Sequence, residues 1–285
     1  MLIDCHTHVH FSAFEGETDS VIKRALDAGV SMITVGTQQD TSAGAVATAK
    51  KYPGKVWASI GLHPIHTDKS YHDENELGGG EHAKAFYSRG ETFDANFYDK
   101  LAKDPAVVAI GECGLDYYRM DGGDVAVKEK QKTAFLAQAS IAMKHGKALM
   151  IHCRPSKGTD DAYSDLYAIL SDPLYHGLRK VVHFYVGSPA ITQKLVEAGF
   201  YFTLGGVITF ADDYNESIKL MPMDRILLET DAPYVAPKKY RGKKNEPAFI
   251  VETAKKLAEI KGVSYATIEK TTTDNAVRVF NLNLN

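Results

Sequence analysis

Residues 1–8, MLIDCHTH, join a short apolar run to two histidines that stand two positions apart. In an extended chain alternate side chains point to the same face, so His6 and His8 would project together from the end of a strand, with Asp4 beside them. Taken alone, the pair also fits a polar strand end in which each imidazole bonds to the backbone. The rest of the chain decides between these two interpretations.

Seven further apolar segments have the length and composition of strands. The eight candidates are MLIDCHTH, VSMITVGT, VWASIGLHP, VVAIGECGLD, ALMIHCR, KVVHFYVG, FYFTLGG and RILLETDAP. Amphipathic stretches such as DSVIKRALDAG and SPAITQKLVEAG separate them, and these two end in glycine as a helix C-cap does. Eight strand–helix units in about 250 residues predict an α/β fold, a (β/α)8 TIM barrel with parallel strands. A doubly wound open sheet has the same alternation, but the G-x-G-x-x-G fingerprint that favours it is missing after the first strand.

We expect residues 1–285 to form a single barrel domain. The patterns NEPAFIVETAKKLAEIKG and SYATIEKTTTDNAVRVF predict two closing helices, so that the barrel carries an extra C-terminal helix. A polar, glycine-rich insertion at about 66–95 interrupts the regular spacing after the third strand, and a connection of that length is uncommon without a role or disorder. It contains His66, His72 and His82, and its charge density predicts a solvated loop rather than a metal site.

The composition is that of an ordinary globular protein, with 44% hydrophobic and 24% charged residues. A formal net charge of −3 argues against a protein that holds long nucleic acid by bulk charge. Because no apolar run could span a bilayer and the N-terminus lacks the features of a signal peptide, we expect a cytoplasmic protein without a membrane partner. Its three cysteines form no disulfide pattern, which fits a reducing compartment, and no obligate protein partner is evident.

Residue types that bind metals occupy the ends of six of the eight predicted strands. They are His6, His8, His63, Glu112, His152, His183 and Asp231. In a barrel of this kind the carboxyl ends of the strands converge on one mouth. Imidazole and carboxylate mixtures suit zinc, manganese, iron or cobalt better than calcium, and this set is too large for one tetrahedral zinc with an open position. It suits two ions that share a bridging carboxylate, an arrangement that promotes displacement at phosphorus or carbon.

Three cysteines, Cys5, Cys113 and Cys153, each stand directly beside one of these residues in the sequence. Strand neighbours point to opposite faces, so each thiol should face the helical layer when its neighbour faces the barrel axis. We therefore interpret the cysteines as small buried hydrophobic residues rather than ligands or nucleophiles.

The motifs together resemble those of the TatD-type metal-dependent deoxyribonucleases of the amidohydrolase superfamily. The matching stretches, in family order, are IDCHTH, GLHP, GECGLDYY, MIHCR, VVHFYVGSP, ETDAPY, RGKKNEP and TTTDNAVRVF. They span essentially the whole chain, and the long segment after His66 is the chief departure. The resemblance implies a hydrolase of ester bonds, a nuclease that trims short single-stranded or frayed DNA ends from the 3′ side. Two divalent cations per chain would activate the attacking water, with zinc, manganese, magnesium, iron and cobalt all left open.

Residue by residue, the resemblance also implies a set of roles. One metal would be held by His6, His8 and Asp231, the second by His152 and His183, and Glu112 would bridge them. Asp231 would also orient the water and accept a proton. His63 would contact substrate phosphate, and Arg154 is a further candidate for that contact as a bidentate donor.

Several other residues near the predicted metal ligands are candidates for contacts with substrate or with the ligands. Tyr117 and Tyr118 are candidates to stack on a base, although packing against the neighbouring loop fits them equally well. Asp116 is a candidate to support a ligand histidine. The basic stretch KKYRGKK at 238–244 offers phosphate-binding cations or a solvated loop, and we expect Arg241 to pair with a carboxylate of the scaffold.

Two other functions remain open on the sequence. The same barrel and metals could cleave a C–N or C–O bond of a small molecule, as amidohydrolases and lactonases do. A metal-binding scaffold without activity is the non-enzymatic alternative, although every proposed ligand is present.

Overall fold

The structure is a computed structural model, and it describes residues 1–69, 71–72, 86–118 and 124–284, with only the backbone described at 71–72 and 86–87. Eight parallel strands form one sheet in chain order, each bonded to the next, and the sheet curves into the predicted barrel. The strands are β1 (Leu2–Thr7), β2 (Val30–Val35), β3 (Val56–Ile60), β4 (Val107–Asp116), β5 (Ala148–Arg154), β6 (Lys180–Val182), β7 (Tyr201–Leu204) and β8 (Ile226–Leu228). Every one of them lies within a predicted segment. A separate two-stranded antiparallel sheet, Tyr71–His72 and Phe86–Tyr87, lies in the connection after β3.

An α-helix follows each strand, and one more closes the chain. In the described ranges they are α1 (Thr18–Asp27), α2 (Gln39–Lys51), α3 (Ala95–Leu101), α4 (Val125–Lys144), α5 (Asp161–Leu170), α6 (Pro189–Glu197), α7 (Asn215–Leu220), α8 (Ile250–Lys261) and α9 (Tyr265–Phe280). Glycines in the left-handed region follow α1 and α6, as predicted, with φ +74° at Gly29 and +76° at Gly199. No helix within these ranges has the length and apolar character needed to cross a membrane.

Two apolar clusters hold the barrel together. The outer one lies between the strands and the surrounding helices. The inner one contains buried side chains from seven of the eight strands together with Phe280 and Leu282, and the partly buried Tyr201 of β7 packs against it. Asn275 of α9 donates its side-chain amide to the carbonyls of Met223 and Ile226, at the start of β8. The last helix therefore covers the amino end of the barrel, and the carboxyl end is left as the mouth.

The barrel closes where β8 meets β1, through a buried carboxylate together with backbone hydrogen bonds. Asp4 accepts hydrogen bonds from the backbone N–H of Thr230 at 2.9 Å and from the hydroxyl of the same residue. One residue further along, the N–H of Asp231 donates to the carbonyl of His6 at 2.9 Å. The first and last strands of the barrel are thus fastened next to two predicted metal ligands.

The predicted orientation of Cys5 is wrong, because the side chains of β1 do not alternate strictly between the two faces of the sheet. The pairing of β1 with β2 shifts register between Asp4 and Thr7, as at a β-bulge. Because of that shift, Cys5 packs in the inner cluster, although it was expected to face the helical layer. Cys113 and Cys153 do belong to the outer cluster, as predicted. All three thiols are buried and free of disulfide bonds.

Candidate metal centre

The Glu112 carboxylate lies in the barrel mouth, and one of its oxygens faces the residues of the first predicted metal site. Its Oε2 atom is 3.3 Å from His6 Nε2 and 3.8 Å from His8 Nε2. Asp231 completes this side, because its Oδ1 atom is 3.4 Å from His8 Nε2 and 3.9 Å from His6 Nε2. His6, His8 and Asp231 are close enough for one ion to bind all three.

The other oxygen of Glu112 faces a different group of histidines. Its Oε1 atom is 2.8 Å from His183 Nε2, 3.0 Å from His152 Nδ1 and 3.1 Å from His63 Nε2. The structure therefore brings together all seven ligand-type residues predicted at the strand ends. Glu112 is the residue that both groups share, with one oxygen directed at each.

The spacing of the imidazole nitrogens fits metal ligands. His6 Nε2 and His8 Nε2 are 3.3 Å apart, and so are His152 Nδ1 and His183 Nε2. Two nitrogens that each bind an ion at 2.0–2.1 Å in tetrahedral geometry are separated by about 3.3 Å. Both histidine pairs therefore match the edge of such a coordination shell, and the nitrogen and carboxylate donors suit a transition-metal ion.

Hydrogen bonds on the far side of two rings direct their lone pairs into the centre. His8 Nδ1 is 2.8 Å from the carbonyl of Val35, which holds a proton on this nitrogen and directs Nε2 at the centre. His152 Nε2 is 2.8 Å from Asp116 Oδ2, which directs Nδ1 at the centre. Such outer partners fix the tautomer and orientation of ligand histidines. Asp116 thus occupies the supporting position expected for it.

His63 has the opposite tautomer. Its Nδ1 atom accepts a hydrogen bond from the N–H of Ile65 at 3.2 Å, so Nε2 carries the proton and faces Glu112. Burial lowers the pKa of His63 to about 4, which keeps the ring neutral. This histidine therefore directs a hydrogen-bond donor, rather than a lone pair, at Glu112.

Metal binding requires ionised carboxylates and neutral imidazoles, and the histidines of the centre differ in this respect. The carboxylates that face His183, His8 and His152 outweigh burial and raise the pKa of all three imidazoles, at His183 well above its usual range. Burial alone would raise the pKa of Glu112, but the imidazoles of His63, His183 and His6 hold it well below the usual carboxyl range. Burial, with the neighbouring His183 ring, lowers the pKa of His6 to about 3.

Local backbone geometry aims the two carboxylates. Gly111 has φ +135°, and a Cβ atom there would collide with the carbonyl oxygen of Met150 on β5. Only glycine therefore allows β4 to approach β5 this closely just before Glu112. Asp231 itself has φ +55°, a left-handed conformation that aspartate adopts more readily than most residues.

Sequence reasoning missed one residue of the centre, Glu229. It is fully buried, it accepts hydrogen bonds from Phe184 N–H at 2.7 Å and from the hydroxyl of Thr203, and its Oε2 atom is 3.7 Å from His183 Nδ1. The signal available in the sequence was its position, because Glu229 directly follows the buried end of β8 and parallel strands of a barrel all end at the mouth.

The predicted base contact of Tyr117 is wrong. Its ring is 0% exposed in the outer cluster, and its hydroxyl donates to Asp165 of α5 at 2.8 Å, because α4 and α5 pack over it. The next residue, Tyr118, is 41% exposed, and the guanidinium carbon of Arg154 lies 3.8 Å from the centre of its ring.

The basic stretch at 238–244 is partly neutralised. Lys239 pairs with Glu252 at 3.2 Å, and Lys244 pairs with Glu17 at 3.0 Å. Among the described residues no carboxylate forms an ion pair with Arg241, contrary to the expectation. Its guanidinium carbon lies 4.6 Å from the centre of the Phe210 ring, which is 40% exposed.

The insertion after β3 departs from the prediction at His66. This residue is buried rather than solvated, because its Nδ1 atom is 2.9 Å from the hydroxyl of Ser88, where the insertion returns to the barrel. The side chain of His72, residue His82 and the run of three glycines at 78–80 lie outside the described residues.

Comparison with known proteins finds relatives that match almost the whole chain. Residues 3–281 match the family model described as TatD related DNase. The uncharacterized metal-dependent hydrolase YabD of Bacillus subtilis is 31% identical over 286 residues, which are 99% of this chain and 100% of that protein. A protein of Pectobacterium carotovorum named 3′-5′ ssDNA/RNA exonuclease TatD is 31% identical over 292 residues, again 99% and 100% of the two chains. The solved structure of the Escherichia coli TatD homologue YjjV shares the fold, with a TM-score of 0.78 at 24% identity over 99% of this chain and 98% of that one.

Proposed function

The chain belongs to the TatD-related DNase family of metal-dependent hydrolases, and on that premise we propose that it is a two-metal phosphodiesterase that removes nucleotides from the 3′ ends of single-stranded or frayed DNA. One observation carries the proposal. The two oxygens of Glu112 are each within 3.3 Å of a histidine nitrogen in a different group, His6 on one side and His183 on the other. A carboxylate placed in this way is suited to bridge two ions.

Residues His6, His8 and Asp231 would hold one divalent ion, His152 and His183 the other, and Glu112 both. Ions held there would act as Lewis acids that offset phosphate charge and ease the ionisation of water. Nitrogen and oxygen donors of this kind favour zinc, manganese, iron and cobalt as the bound ions. Magnesium prefers sites in which carboxylate oxygens dominate.

The chain's own residues supply the remaining chemistry. Asp231 is partly exposed at the mouth, where its carboxylate can orient a water molecule and accept a proton as that water attacks phosphorus. The Nε2–H group of His63 can donate to a phosphoryl oxygen as negative charge grows there. The Arg154 guanidinium, two residues beyond His152, can donate to the same phosphate in a bidentate manner.

The single-stranded, end-directed substrate is supported by two further observations. A relative of nearly equal length is named a 3′-5′ ssDNA/RNA exonuclease. The chain has a formal net charge of −3, and two of the lysines in its basic stretch are already paired with glutamates, so few cations remain to hold a long duplex.

The decisive experiment compares a linear and a circular single strand of equal length with protein reconstituted in manganese or magnesium. We expect loss of nucleotides from the 3′ end of the linear strand, an intact circle, and a shallow dependence of the rate on salt. A circle that is cut as fast as the linear strand would exclude the end-directed function. RNA, a simple phosphodiester and a lactone belong in the same screen, and turnover of the lactone alone would exclude phosphodiester hydrolysis.

A further inference from the structure

Tyr118 is an exposed aromatic residue beside the metal centre, and none of the described hydrogen bonds involves its hydroxyl group. Its ring is 41% exposed, whereas the neighbouring Tyr117 is completely buried and already anchors this loop to α5. An aromatic ring left in water at a site mouth is a surface on which a nucleobase can stack.

The backbone of Tyr118 is tied to the metal centre by one carboxylate. Its N–H donates to Asp116 Oδ1 at 3.1 Å, and the other oxygen of Asp116 is 2.8 Å from His152 Nε2. The position of the aromatic residue is therefore fixed relative to a ligand histidine. A base stacked on this ring would belong to a nucleotide next to the phosphate that is attacked.

Arg154 supplies the second half of the contact. Asp116 and Arg154 are paired residues of β4 and β5, and the N–H of Tyr117 donates to the carbonyl of Arg154 at 2.8 Å. The guanidinium group lies 3.8 Å from the centre of the Tyr118 ring, and no carboxylate among the described residues forms an ion pair with it. The flat face of the Arg154 guanidinium group thus packs on the Tyr118 ring, while the charge of the group can bind a phosphate.

We propose that Tyr118 and Arg154 form a nucleotide-binding subsite, in which the tyrosine ring stacks on a nucleobase and the guanidinium group binds the adjacent phosphate. This inference deepens the proposed nuclease function and rests on it. The substrate class that fits is a strand with unpaired bases, because a base inside a duplex cannot expose its face to the ring.

The chain offers a matched control on the opposite pair of loops. Phe210, after β7, is 40% exposed, and its ring contacts the guanidinium group of Arg241 as the Tyr118 ring contacts that of Arg154. None of the described hydrogen bonds ties Phe210 to a metal ligand: its own N–H donates to the carbonyl of Val207. It reproduces the exposed aromatic–arginine pair without the connection to the metal centre.

The test is equilibrium binding of a single-stranded oligonucleotide to the manganese-loaded protein. The 3′-terminal base is the fluorescent analogue 2-aminopurine, and hydrolysis-resistant phosphorothioate linkages keep the strand intact. We expect wild-type protein and the Tyr118→Phe variant to quench the fluorescence, since both keep an aromatic face. Tyr118→Leu should abolish the quenching and weaken binding about tenfold, in the range expected for one lost stacking contact. Phe210→Leu should bind and quench like the wild type.

Quenching that survives in Tyr118→Leu, is absent from the wild type, or falls equally in Phe210→Leu would overturn the proposed subsite. Thermal unfolding of each variant, followed by circular dichroism, separates loss of binding from loss of fold. The two proposals fail differently. Tyr118-dependent quenching without metal-dependent hydrolysis would refute the nuclease function alone, and hydrolysis by a protein with no such quenching would refute the subsite alone.

Discussion

Replacement of Glu112 by glutamine tests the bridged centre most directly. The amide keeps the size of the side chain but loses the charge, and it turns one oxygen into an NH2 group that cannot bind a metal. Histidine nitrogens lie within 3.3 Å of both oxygens, so either orientation of the amide deprives one group of its shared ligand. Loss of an outer partner of a ligand already costs about 10–100-fold in metal affinity. Loss of the bridge should cost at least about a hundredfold, or about 3 kcal/mol.

The assay is metal content after reconstitution and dialysis, measured with the turnover number. We expect two ions per chain in the wild type, one or none in Glu112→Gln, and turnover reduced by at least about a hundredfold. Cys113→Ser is the matched control, because the next residue of the same strand is buried in the outer cluster and faces away from the centre. It should keep both ions and most of the activity. Equal losses from the two substitutions, or two ions retained by Glu112→Gln, would refute the assigned geometry.

Three further predictions concern residues around the centre and on the surface. Tyr117→Phe removes the hydroxyl that donates to Asp165 but keeps the buried ring, so urea unfolding should show a loss of about 1 kcal/mol with unchanged turnover; a large loss of turnover would restore a substrate role. Asn245→Ala leaves three backbone carbonyls of the loop after β8 without their side-chain donor, so stability should fall by about 1–3 kcal/mol, and unaltered stability would contradict that accounting. The Lys144 ammonium group, together with His145, lowers the pKa of Asp99 from 3.8 to about 2. Stability from this carboxylate is therefore complete above about pH 4 and is lost as the pH falls toward 2, so Asp99→Asn should flatten that part of an acid-unfolding profile, and a profile identical to that of the wild type would refute the assignment.

Much of the barrel could be predicted because it depends on local sequence. Each strand is a short apolar run. Glycine follows α1 and α6 because it adopts the left-handed conformation after a helix without a steric penalty. The ligand residues could also be predicted, since parallel strands in a barrel all end at one mouth. Apolar strand runs, helix-ending glycines and ligand residues at strand ends can each be recognised from a few consecutive residues.

The incorrect predictions depended on contacts between segments. Strict alternation placed Cys5 on the helical side, but the register of β1 against β2 shifts between Asp4 and Thr7, and a shift of that kind is a property of two strands together. Which of the adjacent residues Tyr117 and Tyr118 is buried was likewise set by the packing of α4 and α5 rather than by the sequence around them.

The hydrogen bonds that join β1 to β8 also have a consequence for the synthesis of the protein. The Asp4 carboxylate and the Thr230 N–H that it accepts are 226 positions apart, and the same junction brings His6 beside Asp231. A growing chain on the ribosome therefore cannot assemble the first metal site until the segment that carries Asp231 has been synthesised. Contacts with such wide sequence separation form late, because the entropy of closing the intervening loop must be overcome first. The proposed first metal site is consequently incomplete until the last strand of the barrel has been added.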